Sequence, residues 1–283
     1  MTTITACGAR IAYAETGCGE TVVLLHASAS SSVQWRSLIE RLQGRWRVLA
    51  PDLPGYGHTE STPGPASGGL AEGAALVDLI LGQSSQRIHL VGHSYGGAVA
   101  LRVAADRPAR LLSLTLIEPV AFHLLGRAPE GTREHALLRE VEEIAAAVTD
   151  AAATGDDRAG MARFIDYWSG PGAWQRLRPE LQEALAPQTA RVALDFRAVM
   201  SEAARFGCLR RIAVPTLVLR GTSSPGPAQR IAELVARLLP AARLQTIEGA
   251  GHMLPLTHAE AVNAAIIDQL SRNHLAGPRP VAA

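Results

Sequence analysis

The chain contains no lysine: all 27 of its Lys-or-Arg positions are arginine. Schiff-base and Ser–Lys mechanisms are therefore excluded, since both need an amine that can lose its proton. Cysteine is scarce. Cys7, Cys18 and Cys208 show neither metal-ligand spacing nor an even framework, so free thiols in a reducing compartment are expected. Charge is also sparse, at 19% of residues with a formal net charge of +1, which offers nucleic acid or an acidic membrane no electrostatic footprint. No apolar run approaches the roughly 18 residues that span a bilayer. MTTITACGARIAYAE lacks a basic n-region followed by an apolar h-region, the pattern of a signal peptide. A cytoplasmic protein without nucleic-acid or membrane partners is expected. No His/Cys/Asp/Glu set has metal-site spacing, so neither metal nor cofactor is expected; the sequence sets no oligomeric state.

What is present is enough chain, 283 residues, for a large core. Residues 1–120 alternate strand and helix signals. ITACGARIAYAET reads as a hairpin turning near Cys7-Gly8, and TVVLLH (21–26), WRVLAPD (46–52), RIHLVGH (87–93) and LLSLTLIEP (111–119) as buried strands. Between them SVQWRSLIERL (32–42), with Val33, Leu38 and Leu42 toward the core, AEGAALVDLILGQ (71–83) and YGGAVALRVAADRP, stopped by Pro108, read as helices. Near-continuous apolar strands separated by helices predict a mostly parallel α/β sheet covered on both faces. From 121 to 212 only helical signals remain. Leu137, Val141, Ile144 and Val148 form one stripe ending near Gly155; Val192, Phe196, Val199, Ala203 and Phe206 form another ending at Gly207. Strand–helix alternation then resumes with VPTLVLRG, a helix near 227–239, ARLQTIEG (242–249) and a last helix near 258–272. The domain expectation is a core of 1–120 and 213–283 with an inserted all-helical cap at 121–212; the GPRPVAA tail reads as disordered.

Gly92-His93-Ser94-Tyr95-Gly96 is a G-x-S-x-G between a predicted strand and a predicted helix. A serine on such a turn projects its hydroxyl above the sheet, and the glycines leave room where a Cβ would clash. The helix N-terminus adds unpaired N–H groups where an oxyanion would form. The plainer role for Ser94 is helix capping. His252, in Gly-Ala-Gly-His before the last helix, is the candidate base, able to take and return a proton near neutral pH. His26 reads as a loop support. His58, His89, His123, His135, His258 and His274 read as solvated or capping.

With LLHASASSSVQW (24–35), PDLPGYGHT (51–59), LVGHSYGG (90–97) and EGAGHMLPLTHAE (248–260), the chain resembles the α/β-hydrolase superfamily, in its serine esterase-like branch with a helical lid. The resemblance covers most of the chain outside the predicted cap. Ala27 stands where the family has glycine. By position, the resemblance implies the backbone N–H groups of Ser28 and Tyr95 as the oxyanion hole, and Asp52 as a loop-fixing acid. It also places the triad acid after TLVLRG, where this sequence has Ser224. A serine cannot stabilise an imidazolium as an anion does. Glu118, ending the strand after the nucleophile strand, is the replacement, since branches such as the haloalkane dehalogenases carry their acid there. Acids also close that strand in enzymes with the usual Asp, so a structural role stays open. The dehalogenase and epoxide-hydrolase branches themselves use an Asp nucleophile, which Ser94 argues against.

Phe122, His123, Phe164, Tyr167, Trp168, Trp174, Phe196 and Met200 are candidate pocket residues, and as a set they fit a medium-sized, largely apolar acyl substrate. The expected function is a serine hydrolase of a carboxylic ester, lactone or related acyl compound, with Ser94, His252 and Glu118 catalytic. Two alternatives stand beside it. One is the same triad used for thioester or carbon–carbon bond hydrolysis, acyl transfer or perhydrolysis; the other is a ligand receptor or interaction protein with vestigial turnover, which only Ser224 favours.

Overall fold

A computed structural model of the chain describes residues 1–6, 8–61, 69–82, 86–202 and 206–274, with the backbone alone at 206–208. The readings made on Cys7, Ala203 and the GPRPVAA tail lie outside the described residues, as do those on the side chains of Phe206 and Cys208.

Runs of β-branched and other apolar residues become strands, those inside the sheet buried on both faces and the edge strands β1 and β8 partly exposed. In chain order these are β1 (Thr2–Ala6), β2 (Ala9–Thr16), β3 (Thr21–Leu25), β4 (Arg47–Pro51), β5 (Ile88–His93), β6 (Leu111–Ile117), β7 (Thr216–Gly221) and β8 (Ala242–Ile247). They form one sheet ordered β1-β2-β4-β3-β5-β6-β7-β8. The β1–β2 and β2–β4 pairs are antiparallel and the other pairs parallel. The predicted mostly parallel α/β sheet is therefore the observed one.

The helices, in chain order, are α1 (Arg36–Leu42), α2 (Leu70–Leu81), α3 (Tyr95–Asp106), α4 (Arg133–Thr154), α5 (Asp157–Ser169), α6 (Ala173–Arg176), α7 (Pro179–Leu185), α8 (Thr189–Ser201), α9 (Gly226–Leu238), α10 (Leu254–Thr257) and α11 (Ala259–Arg272). Side chains alternate along a strand, and the two core layers follow that alternation. Val23, Leu25, Leu90, Leu114 and Val218 pack with residues of α2, α3 and α9. Val22, Leu24, Val91, Leu217 and Leu219 pack with Leu38 and Leu42 of α1 and with Val262, Ile266 and Leu270 of α11.

Between β6 and β7 the described chain has no strand. Thr132 caps α4, Gly155 ends it in the left-handed conformation, and Asp156 caps α5. The Val141, Ile144 and Val148 stripe is buried, as its spacing requires. Gly170-Pro171-Gly172 breaks the aromatic segment, so α5 stops at Ser169 and α6 begins at Ala173.

Three expectations differ from what is observed. SVQW is a 3-10 turn ahead of α1, which rotates Val33 outward to 58% exposure and puts Trp35 in the core instead. The last stripe does not run as one helix to Gly207: α8 ends at Ser201, and 206–211 is a separate 3-10 turn. His89 and His123 are buried, not solvated. His89 Nδ1 meets the Ser113 hydroxyl at 2.7 Å, and its Nε2 lies 3.2 Å from a Glu20 carboxylate oxygen. Among the described residues no helix is long and apolar enough to cross a membrane.

Candidate active site

The turn between β5 and α3 puts Ser94 at φ 55°, ψ −117°, a backbone region that side chains with a Cβ rarely occupy. Glycine is required on both sides of it. A Cβ on Gly92 would run into the Gly96 carbonyl, and one on Gly96 into the carbonyls of Leu25 and His26. The helix therefore approaches β3 closely enough to bring the start of α3 against the loop after β3. Ser94 makes no side-chain cap to α3. Its hydroxyl instead meets His252.

His252 lies on the loop after β8. Its Nε2 is 2.9 Å from Ser94 Oγ, and its Nδ1 donates to Glu118 Oε2 at 2.7 Å. All three residues are buried. Glu118 follows β6, and β7 lies between β6 and β8, so its side chain crosses the end of β7 at Gly221 to meet the loop after β8. The position is held against a backbone penalty, since Glu118 has φ 42°. Its other oxygen, Oε1, accepts from the Gly221 N–H at 2.7 Å and from Ser224 Oγ at 2.5 Å. The serine at the usual acid position is thus a donor to the acid at the neighbouring strand end. A carboxylate with both oxygens taken by donors is fixed in one orientation.

Further groups fix the surroundings. His93, the variable elbow residue, donates from Nε2 to the His252 carbonyl at 2.8 Å, and burial holds its pKa well below the usual histidine range. The Trp168 ring lies 4.1 Å from the His252 ring, centroid to centroid, at 32°. His26 donates from Nδ1 to the Ala27 carbonyl and accepts the Leu53 N–H at Nε2, which ties the loop after β3 to the loop after β4. Asp52 fixes the same pair of loops by accepting from the Ser32 and His58 amides. Ala27, where the family has glycine, does not have a positive φ; the strained residue of that loop is Ala29, at φ 52°. Neither the Ser28 nor the Tyr95 amide has a hydrogen-bond partner among the described residues, and both residues line the cavity at Ser94.

That cavity, about 270 Å³ with the open solvent at its mouth included, is lined by Ser28, Ser94, Tyr95 and Asp195 and by apolar residues that include Phe122, Phe164, Trp168 and Phe196. Four of the expected pocket residues therefore meet here. Tyr167 lies in a separate open cleft of about 1110 Å³, solvent at its mouth included, which Trp168 and His252 also line. Trp174, His123 and Met200 do not line the Ser94 cavity. Trp174 packs where α5 meets α6, beneath Arg158, and its main-chain N–H donates to the Asp166 carboxylate at 2.7 Å. Met200 instead lines a surface groove with Ala145 and Thr149. His123 sits in the 3-10 turn after β6, its pKa lowered to about 4 by burial and by Arg127.

The sequence reading missed a buried polar cluster on the cavity wall. Asp195 and Arg191 of α8 pair at 2.9 Å. Asp195 also accepts from Ser28 Oγ at 2.5 Å and from the Tyr56 hydroxyl at 2.6 Å. Burial pushes the Asp195 carboxyl above the ordinary range, against the pull of the Arg191 guanidinium. The signal was present as Arg191 and Asp195 four apart beside the Val192, Phe196 and Val199 stripe. Charged residues bordering an apolar stripe usually face solvent, which is why it went unread. No group of three His, Cys, Asp or Glu able to hold a metal ion occurs among the described residues.

A family profile described as the alpha/beta hydrolase fold matches residues 20–259. A pimeloyl-[acyl-carrier protein] methyl ester esterase of Neisseria meningitidis is 30% identical over 253 residues, covering 86% of this chain and 90% of that protein. The dihydrolipoyllysine-residue acetyltransferase component of an acetoin cleaving system of Cupriavidus necator is 38% identical over 117 residues, 41% of this chain. The match spans 31% of that component, so the likeness concerns a part of it. A solved structure of a thermophilic esterase from Thermogutta terrifontis superposes with a TM-score of 0.72 at 26% identity, covering 97% of this chain and 98% of the other.

Proposed function

We propose a serine hydrolase, from one premise: the chain belongs to the alpha/beta hydrolase fold family, whose profile covers residues 20–259. The substrate class proposed is a carboxylic ester, lactone or related acyl compound with a largely apolar acyl part. The observation that carries this is the relay of 2.9 Å from Ser94 to His252 and 2.7 Å from His252 to Glu118, ending at a strained elbow.

In this reading Ser94 Oγ attacks the acyl carbonyl while His252 Nε2 takes its proton. The anionic Glu118 stabilises the imidazolium and keeps the proton-bearing Nδ1 turned toward itself. The amides of Ser28 and Tyr95 receive the oxyanion, and the imidazolium returns its proton to the leaving oxygen. Water, deprotonated by the same imidazole, then releases the acid from the acyl-enzyme. The ester class draws support from the esterase relatives. The apolar acyl part draws support from the aromatic lining of the cavity.

A fluorophosphonate should label the protein at Ser94, and short- to medium-chain p-nitrophenyl esters should turn over many times. Ser94→Ala should lose both, with turnover down by about 10⁴-fold or more. Stoichiometric labelling without repeated turnover on any ester would favour the receptor instead. Acyl transfer is a second reading, favoured by the open cleft beside His252, where an acceptor other than water has room. Partitioning of the acyl group between water and an added alcohol or thiol separates the two.

A further inference from the structure

The proton relay makes no use of Asp195, yet this carboxylate is buried on the wall of the Ser94 cavity. It comes from α8, in the helical segment between β6 and β7, and reaches the loop after β3. Its Oδ1 takes two N–H groups of Arg191, at 3.1 and 2.9 Å. Its Oδ2 takes the hydroxyl protons of Ser28 and Tyr56, at 2.5 and 2.6 Å. The loop after β3 is thus gripped at Ser28 by its side chain, immediately before Ala29. Ala29 is the residue of that loop held at φ 52°. A strained backbone persists only where its surroundings over-determine it, and the Asp195 bond to the preceding Ser28 contributes to that determination.

His252 gives Nδ1 to Glu118 and Nε2 to Ser94, so Asp195 has no place in the relay. All the donors it needs come from protein, which leaves a substrate little to bind. What it can govern is the direction of the Ser28 amide. We propose that Asp195 is a positioning residue of the oxyanion site: itself held by Arg191 and Tyr56, it clamps Ser28, so that the Ser28 N–H is aimed only while α8 is seated on the core. This rests on the reading of Ser28 and Tyr95 as oxyanion donors. Oxyanion donors act by preorganisation, so a donor free to swing loses most of its effect on the transition state and little of its effect on the ground state.

The plain alternative is a clasp that only holds α8 down. The two differ in what they move. Asp195→Asn and Ser28→Ala should each lower kcat by at least about 10-fold on a short-chain p-nitrophenyl ester, with KM within about twofold. A boronic acid, which becomes tetrahedral on Ser94, should weaken by the same factor as kcat/KM falls. Ser28→Ala keeps the Arg191–Asp195 pair and the Tyr56 bond, so it tests the proposal even if Asp195→Asn fails to fold. The double variant should lose no more than about twofold beyond Ser28→Ala, since both changes cut the same link. Variants that melt earlier but keep wild-type kcat and boronate affinity would overturn the proposal, as would losses that multiply in the double variant. Ser94→Ala run alongside separates the two levels: if it retains turnover, the serine-hydrolase reading itself is wrong.

Discussion

At the scale of single residues, the acid of the site is the testable point. Glu118 Oε2 meets the imidazole, and Oε1 is held by the Gly221 amide and Ser224 Oγ. Glu118→Gln keeps the shape, removes the charge and offers an N–H where the imidazole N–H must donate. It is expected to lower kcat at least about 100-fold while fluorophosphonate labelling and thermal stability persist. A near-wild-type kcat would return Glu118 to a structural role. Ser224→Ala removes one of three donors and leaves the charge, so a drop of only about 3- to 10-fold is expected. The ratio of these two losses measures how much Ser224 contributes by orienting an acid that lies on another strand. It also accounts for a serine at the usual acid position: the site has kept a polar group there because the glutamate needs its free oxygen held.

At the scale of elements, the close approach of α3 to β3 joins the fold to the site. Gly96→Ala would drive a Cβ into the carbonyls of Leu25 and His26. Backbone cannot turn aside as a side chain tip can, so a stability loss of about 3 kcal/mol or more is expected, read as a lower urea midpoint at unchanged slope. The loop bearing Ser28 follows β3 directly, so activity should fall further than the folded fraction does. The sequence carried these elements well, because TVVLL, IHLVGH and LLSLTLI are continuous apolar strands and the elbow glycines have a single steric reason. Ser94 and His252 were readable from their places between strand and helix, and Glu118 from the strand it ends. Val33 was misplaced because a 3-10 turn ahead of α1 breaks the 3.6-residue period on which its assignment depended. The Asp195 cluster was not readable, since its partners Ser28 and Tyr56 lie 167 and 139 residues away and no local period reports such contacts. Local pattern reveals what an element buries, and only the packed structure reveals what a buried charge meets.

At the scale of the whole molecule, buried histidines set an acid limit on stability. Burial lowers His26 to about 4, despite a backbone hydrogen bond that favours its charged form. His123 is lowered to about 4, His93 lies well below its usual value, and His89 is lowered too, each chiefly by burial. For His26 the geometry gives the same sign, because Nε2 already accepts the Leu53 N–H and has no lone pair left for a proton. The unfolded chain takes up protons near the ordinary histidine value of about 6.5, while in the folded state His26 and His123 refuse them until about 4, and His93 and His89 are likewise shifted to lower pH. Between those limits the unfolded state binds more protons, so stability falls as pH falls, by about 1.4 kcal/mol per pH unit for each histidine involved. Asp195 works in the opposite direction, since a raised carboxyl favours the folded state as the solution becomes more acidic, but it is one group against four. Unfolding free energies from urea titrations should therefore be level above about pH 7 and decline steeply from about 6.5 toward 4. His123→Phe, away from the Ser94 cavity, should flatten that decline by about one proton's worth. A profile level down to pH 5 would mean that the four rings accept protons in place, and with that the neutral tautomer assigned to His26 would fall.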